Sequence, residues 1–123
     1  MPEDVTVTSQ MRKYLRVLVV NDPSFEPEAW YAALRKRFMV SVFPSIAELC
    51  SVSREDVTCI IAFIGATVGA RAVSEAVEGT TRVVYIRRDD VSADDDLFML
   101  TSGKSWLAPS ATAEELIDRV TTL

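Results

Sequence analysis

The chain has no histidine, only two cysteines and only four glycines in 123 residues. Without histidine, none of Ser24, Ser45 and Ser74 can serve as the nucleophile of a Ser–His–Asp triad. Cys50 and Cys59 stand apart with no imidazole to complete a ligand set, which excludes a zinc site of the usual kind. Cys59 lies in an apolar run and is assigned to the core, Cys50 follows a helical pattern, and both are expected as reduced thiols. Long hydrophobic runs are also missing. The longest, Cys59 to Ile64, is far short of the ~20 residues that span a bilayer. The opening MPEDVTVTSQMRKY has neither the basic start nor the apolar core of a signal peptide, so the expected compartment is the cytoplasm. Basic residues are scarce as well: 13 Lys and Arg against 18 Asp and Glu leave a net charge of -5. The clusters Arg35–Lys36–Arg37 and Arg87–Arg88 are too small to offset that, and neither nucleic acid nor membrane is expected as a partner.

What remains is a chain of 49% hydrophobic and 25% charged residues, enough for one α/β domain with a sizeable core. Residues 1–13 read as a flexible leader or, from the alternation Val5, Thr6, Val7, Thr8, an extra edge strand; residues 14–123 form the domain. Arg16 to Val20 is a β-branched run suited to a strand buried on both faces. Pro27 suits a helix start, and Trp30, Leu34 and Phe38 share one helical face, which predicts a helix to about Phe38. Val40 to Phe43 reads as a second strand, and Ser45 with Glu48 has the spacing of a capping box for a short helix. Val57 to Ile64 is the most apolar segment and is expected to be the central strand, ending at Gly65. Ala70, Val73, Ala76 and Val77 give a helical stripe that stops near Gly79, and Arg82 to Ile86 reads as a fourth strand.

Ser92 and Asp95 repeat the capping spacing. Asp94, Asp95 and Asp96 then favour a helix N-terminus over a metal site, because carboxylates within one turn point in different directions. That helix closes at Gly103, Ser105 to Leu107 forms a last strand, and Thr112 with Glu115 caps a final helix. Five strand–helix units imply a parallel sheet covered on both faces, in the flavodoxin-like (CheY-like) order 2-1-3-4-5. Any site then lies at the carboxyl ends of the strands, at residues 21–24, 61–67 and 87–90.

At those ends the chain resembles a response-regulator receiver domain, from about residue 15 onward. VLVVNDP resembles the first receiver strand and its acidic pair, with Asn21 and Asp22 at the two acidic positions. DVTCII, with Gly69 eight residues beyond Ile61, resembles the third strand and the glycine after the phosphoacceptor, and WLAPSATAEELIDRV resembles the family's ending, with Pro109 retained. The resemblance implies an aspartate nucleophile, acidic magnesium ligands, a hydroxyl residue ending strand four and a lysine ending strand five. This chain departs at those positions. Ile61 stands at the phosphoacceptor position, or Ala62 if the register slips by one, Arg87 stands at the hydroxyl position and Ala108 at the lysine position. Asn21 removes one of the carboxylates that would hold a metal. Arg87 suggests a substitute, a fixed ion pair with Asp22 across the crevice.

The expectation is therefore a degenerate receiver: no enzyme, no cofactor, a phosphorylation-independent signalling module working by protein contact. Leu97, Phe98, Met99 and Leu100 are consecutive and cannot all face one core, and Trp106 is near in sequence, so these five residues form the candidate interaction surface. By resemblance, that surface implies a partner protein, an attached output domain, or a homodimer through the fourth helix, fifth strand and fifth helix. Gly65 and Gly69 keep open a small-ligand or flavin-binding flavodoxin-like domain, and a residual phosphoacceptor receiver is a third reading. Gly103–Lys104–Ser105 lacks the earlier glycine of a phosphate-binding loop, since position 98 is Phe98.

Overall fold

Alternation along the inner strands builds the molecule. Val17, Val19, Cys59, Ile61 and Phe63 point to one side, and Leu18, Val20, Ile60, Ala62 and Ile64 to the other, all without solvent exposure. Two buried faces require cover on both sides, which the helices between strands supply. The computed structural model describes residues 15–22, 24, 27–52, 56–79, 81–108 and 110–121. The leader or edge strand read at 1–13 lies outside the described residues, as does Pro109.

The strands are β1 (Arg16–Val20), β2 (Met39–Phe43), β3 (Val57–Ile64), β4 (Val83–Arg87) and β5 (Trp106–Leu107). They form one parallel sheet in the order β2-β1-β3-β4-β5, a flavodoxin-like arrangement. The helices are α1 (Glu28–Arg35), α2 (Ile46–Cys50), α3 (Ala70–Val73, continuing as a π-helical turn over Ser74–Glu78), α4 (Ala93–Thr101) and α5 (Ala113–Thr121). Tyr31 and Leu34 of α1 and Leu116 and Val120 of α5 cover one face. Leu49 of α2, Val73 of α3 and Met99 of α4 cover the other.

Local sequence sets the helix starts. Ser45, Ser92 and Thr112 each accept the backbone N–H three residues on, from Glu48, Asp95 and Glu115, at 3.1–3.2 Å. The first helix stops at Arg35 rather than reaching Phe38. Phe38 is nonetheless buried, because Met39 N–H is already bound to the Leu15 carbonyl at 2.9 Å and the chain has turned to enter β2. Gly79 follows the π turn with φ −67°, whereas Gly103 ends α4 at φ +72°, where a side chain would be strained. At the other end of the molecule, the Arg82 guanidinium donates to the carbonyls of Arg119 and Val120 and satisfies the last turn of α5.

Phe63 is the anchor of the α1 side. Trp30 lies 5.7 Å from its ring centroid and Tyr31 meets it edge-on at 6.2 Å. Full burial of such a side chain stabilises by roughly 1.5–3 kcal/mol. No helix among the described residues is long and apolar enough to cross a membrane.

Candidate functional site at the carboxyl edge of the sheet

Parallel strands end on a common edge, so the residues after β1, β3 and β4 meet there. Asp22, directly after β1, is the centre of this meeting. One of its oxygens accepts from Ser24 N–H at 2.7 Å, and the other accepts from Thr67 Oγ1, in the loop after β3, at 2.5 Å. Hydrogen bonding from the Ser24 side chain first, the Thr67 hydroxyl second and the Ser24 N–H third holds the Asp22 carboxyl at about 2 against an ordinary 3.8, with the Arg88 charge adding to the effect. Asn21 is buried and turned the other way, its amide donating to Tyr31 Oη at 2.8 Å.

The loops are closely packed here. A Cβ on Gly65 would stand 2.4 Å from Asp90 Oδ1 and 3.1 Å from Arg88 Nε, so glycine is the residue that lets the β3 and β4 loops touch. Arg88 and Asp90 form an ion pair at 3.3 Å. Beyond them, Asp95 of α4 accepts the Ala70 N–H at 2.9 Å and so caps the first turn of α3, which begins without a cap from its own residues.

The strand register fixes where Ile61 and Ala62 stand relative to the edge. Ile61 lies beside Val19 and Ala62 beside Val20, both inside the sheet and fully buried. Continuing that register places Phe63 level with Asn21 and Ile64 level with Asp22. The residues at the end of β3 are therefore Phe63 and Ile64, not Ile61 or Ala62. A run such as CIIAFI has no internal mark of where the sheet stops; the mark is Gly65, immediately after it.

Arg87 ends β4 beside Ile64, and it does not pair with Asp22. Its Nε and one terminal nitrogen donate to the two oxygens of Asp96 at 3.0 and 3.1 Å, a bidentate pair that lowers the Asp96 pKa and raises that of Arg87. Alternation along the chain is the physical reason: Arg87 and Arg88 leave the strand end in different directions, and only Arg88 lies near enough to act on Asp22. Ala108 follows β5 and is exposed.

The residues at this edge do not fit a magnesium ion. Asp22 is a lone carboxylate with hydrogen bonds on both oxygens, Asn21 turns its amide to Tyr31, and β3 ends in hydrocarbon. Among the described residues no three acidic or cysteine side chains gather as metal ligands. Of the cysteines, Cys50 is exposed, and Cys59 is buried, which pushes its thiol up to about 11.

The second candidate surface divides. Leu97 and Leu100 on α4 are 58% and 78% exposed. Met99 was expected beside them but is 1% exposed and belongs to the core, since a helix turns about 100° per residue and carries it inward. Phe98 is half-buried under the Arg71 guanidinium, 4.8 Å above its ring, and Trp106 is half-buried against Tyr85. Sequence reasoning missed Thr67, Asp95 and Asp96 as partners of this edge. Thr67 lay within a segment assigned to it, whereas nothing in the spacing links Asp95 to Ala70.

No protein-family model matches this chain, and no curated protein sequence matches it.

Proposed function

We propose that this chain is a phosphorylation-independent receiver-like regulatory module that acts in the cytoplasm by protein–protein contact and has no enzymatic activity. The observation that carries the reading is the state of Asp22: both oxygens are held by Ser24 and Thr67, and the strand end beside it is Phe63 and Ile64. A switch of this shape with no acceptor group at its centre has one use left, its surface. Leu97 and Leu100 supply that surface, beside the exposed acidic Asp94, so the complementary partner presents an apolar patch with a basic rim. That partner is another protein or an attached output domain. A second copy docking through α4, β5 and α5 is the other occupant of the same face.

Intact mass after incubation with acetyl phosphate and magnesium tests the central claim. The expected result is no added phosphoryl group, and a protein without flavin absorption as purified. A phosphoryl group that is gained by the native chain and lost in Asp22→Asn overturns the reading, and so does copurifying flavin.

A further inference from the structure

The lateral edge at β2 has backbone groups aimed outward. Met39 N–H donates to the Leu15 carbonyl, and the Phe43 carbonyl accepts from Asn21 N–H at 3.0 Å, so the backbone groups of Met39, Ser41 and Phe43 face β1. Alternation then turns the N–H and C=O of both Val40 and Val42 away from the sheet, and no described strand lies beyond them. Edge strands are normally blunted by charge, proline, a bulge or brevity. The opposite edge, β5, has two residues; β2 has five, MVSVF, with no charge or proline among them and an unbroken register against β1. Its side chains are also open, with Met39 49% and Val42 37% exposed, next to Leu15 at 42%.

Charge is distributed along the strand direction. Every strand ends, and every helix begins, at the carboxyl edge, which carries Asp22, Glu28, Glu48, Asp89, Asp90, Asp94, Asp95, Asp96, Glu114 and Glu115 against Arg71, Arg87 and Arg88. At the amino edge the described side chains are Arg16, Arg35, Lys36, Arg37, Arg82, Lys104 and Arg119 against Asp56, Glu75 and Asp118. Each sign complements the helix dipoles locally, and together they polarise the whole molecule.

We propose that β2 is a self-association edge, pairing antiparallel with β2 of a second copy about a two-fold axis at Ser41. Val40 then exchanges both backbone hydrogen bonds with Val42 of the partner subunit, and Met39 lies opposite Phe43 of the partner subunit. This orientation sets the acidic edge of one copy level with the basic edge of the other, whereas parallel pairing would juxtapose like charges. The surface is separate from α4 and independent of the function proposed above.

The test uses the full chain. Sedimentation equilibrium is expected to show a concentration-dependent dimer that weakens several-fold as salt rises to about 0.5 M. Val42→Pro removes an outward N–H without touching the bonds to β1, and is expected to raise the dissociation constant about tenfold or more, with unchanged circular dichroism. Should proline disturb the strand, Val42→Lys keeps the N–H and blunts the edge with charge to the same end. In a Cys50→Ser background, Ser41→Cys is expected to form an intermolecular disulfide under mild oxidation, because the two copies of residue 41 face each other at a non-hydrogen-bonded position. A monomer at all concentrations overturns the proposal. So does a dimer that persists in both Val42 variants and leaves Ser41→Cys uncrosslinked, or one dissociated by Leu100→Glu instead.

Discussion

The carboxyl edge of the sheet and the flanks of the molecule use similar raw material in opposite ways. At the carboxyl edge, polar groups are consumed internally: Asp22 by Ser24 and Thr67, Asp95 by the start of α3, Asp96 by Arg87, Asp90 by Arg88. On the flanks, Leu97 and Leu100 stand in solvent and the outer groups of β2 point away from the sheet. The carboxylates named at the carboxyl edge are engaged within the fold, while exposed hydrocarbon and strand edges gain by being covered.

The sharpest test of the contrast lies within α4. Met99→Ala is expected to lower unfolding free energy by about 2–5 kcal/mol, the usual cost of emptying a buried methionine site. Leu100→Ala, one residue on and exposed, is expected to change it by no more than about 0.5 kcal/mol while weakening partner binding. Chemical denaturation of both variants checks this, and equal losses would mean that Leu100 is covered within the fold.

Asp95→Ala comes next. It removes the cap of α3 provided by a neighbouring helix, and about 1 kcal/mol of stability is expected to go with it. Hydrogen exchange is expected to quicken at the amide of Ala70 first. If the loss appears only in α4, the bond between the two helices contributes nothing.

Asp22 predicts a pH effect. Its carboxyl is depressed to about 2, so its contribution is fully present above the ordinary 3.8 and disappears as pH falls from there toward 2. Unfolding measured across that range is expected to show a steeper acid loss in the native chain than in Asp22→Asn. Parallel curves would show that Thr67 and Ser24 do not hold the carboxylate in solution.

The smallest effect is expected from Arg87→Ala, because its pair with Asp96 is partly exposed and screened by water. A double-mutant cycle with Asp96→Ala measures it. A strong coupling would mean that the pair is shielded from water rather than screened by it.

Much of the fold was legible in the residues. The boundaries of β1 and β3 follow from where apolar β-branched runs stop at Asn21 and Gly65, and Ser45, Ser92 and Thr112 cap their helices as their spacing implied. The strand order follows from five strand–helix units and the handedness of their crossovers. The carboxyl edge was located as well, since Asp22 and Thr67 meet there, as do Gly65, Arg88 and Asp90.

Which groups touch was a different matter. Local signals act over three or four residues, so they determined caps, strands and the alternation that buries both faces of the sheet. The bonds from Thr67 to Asp22, 45 residues apart, and from Ala70 to Asp95, 25 apart, exist only because parallel strands end on one edge. Tertiary packing alone also decided that Phe63 and Ile64 lie level with Asn21 and Asp22, that Arg87 turns to Asp96, and that Met99 goes inward while Leu97 and Leu100 stay out. Strand register and helix rotation are set by the fit of whole layers, and no short stretch of this chain contains that information.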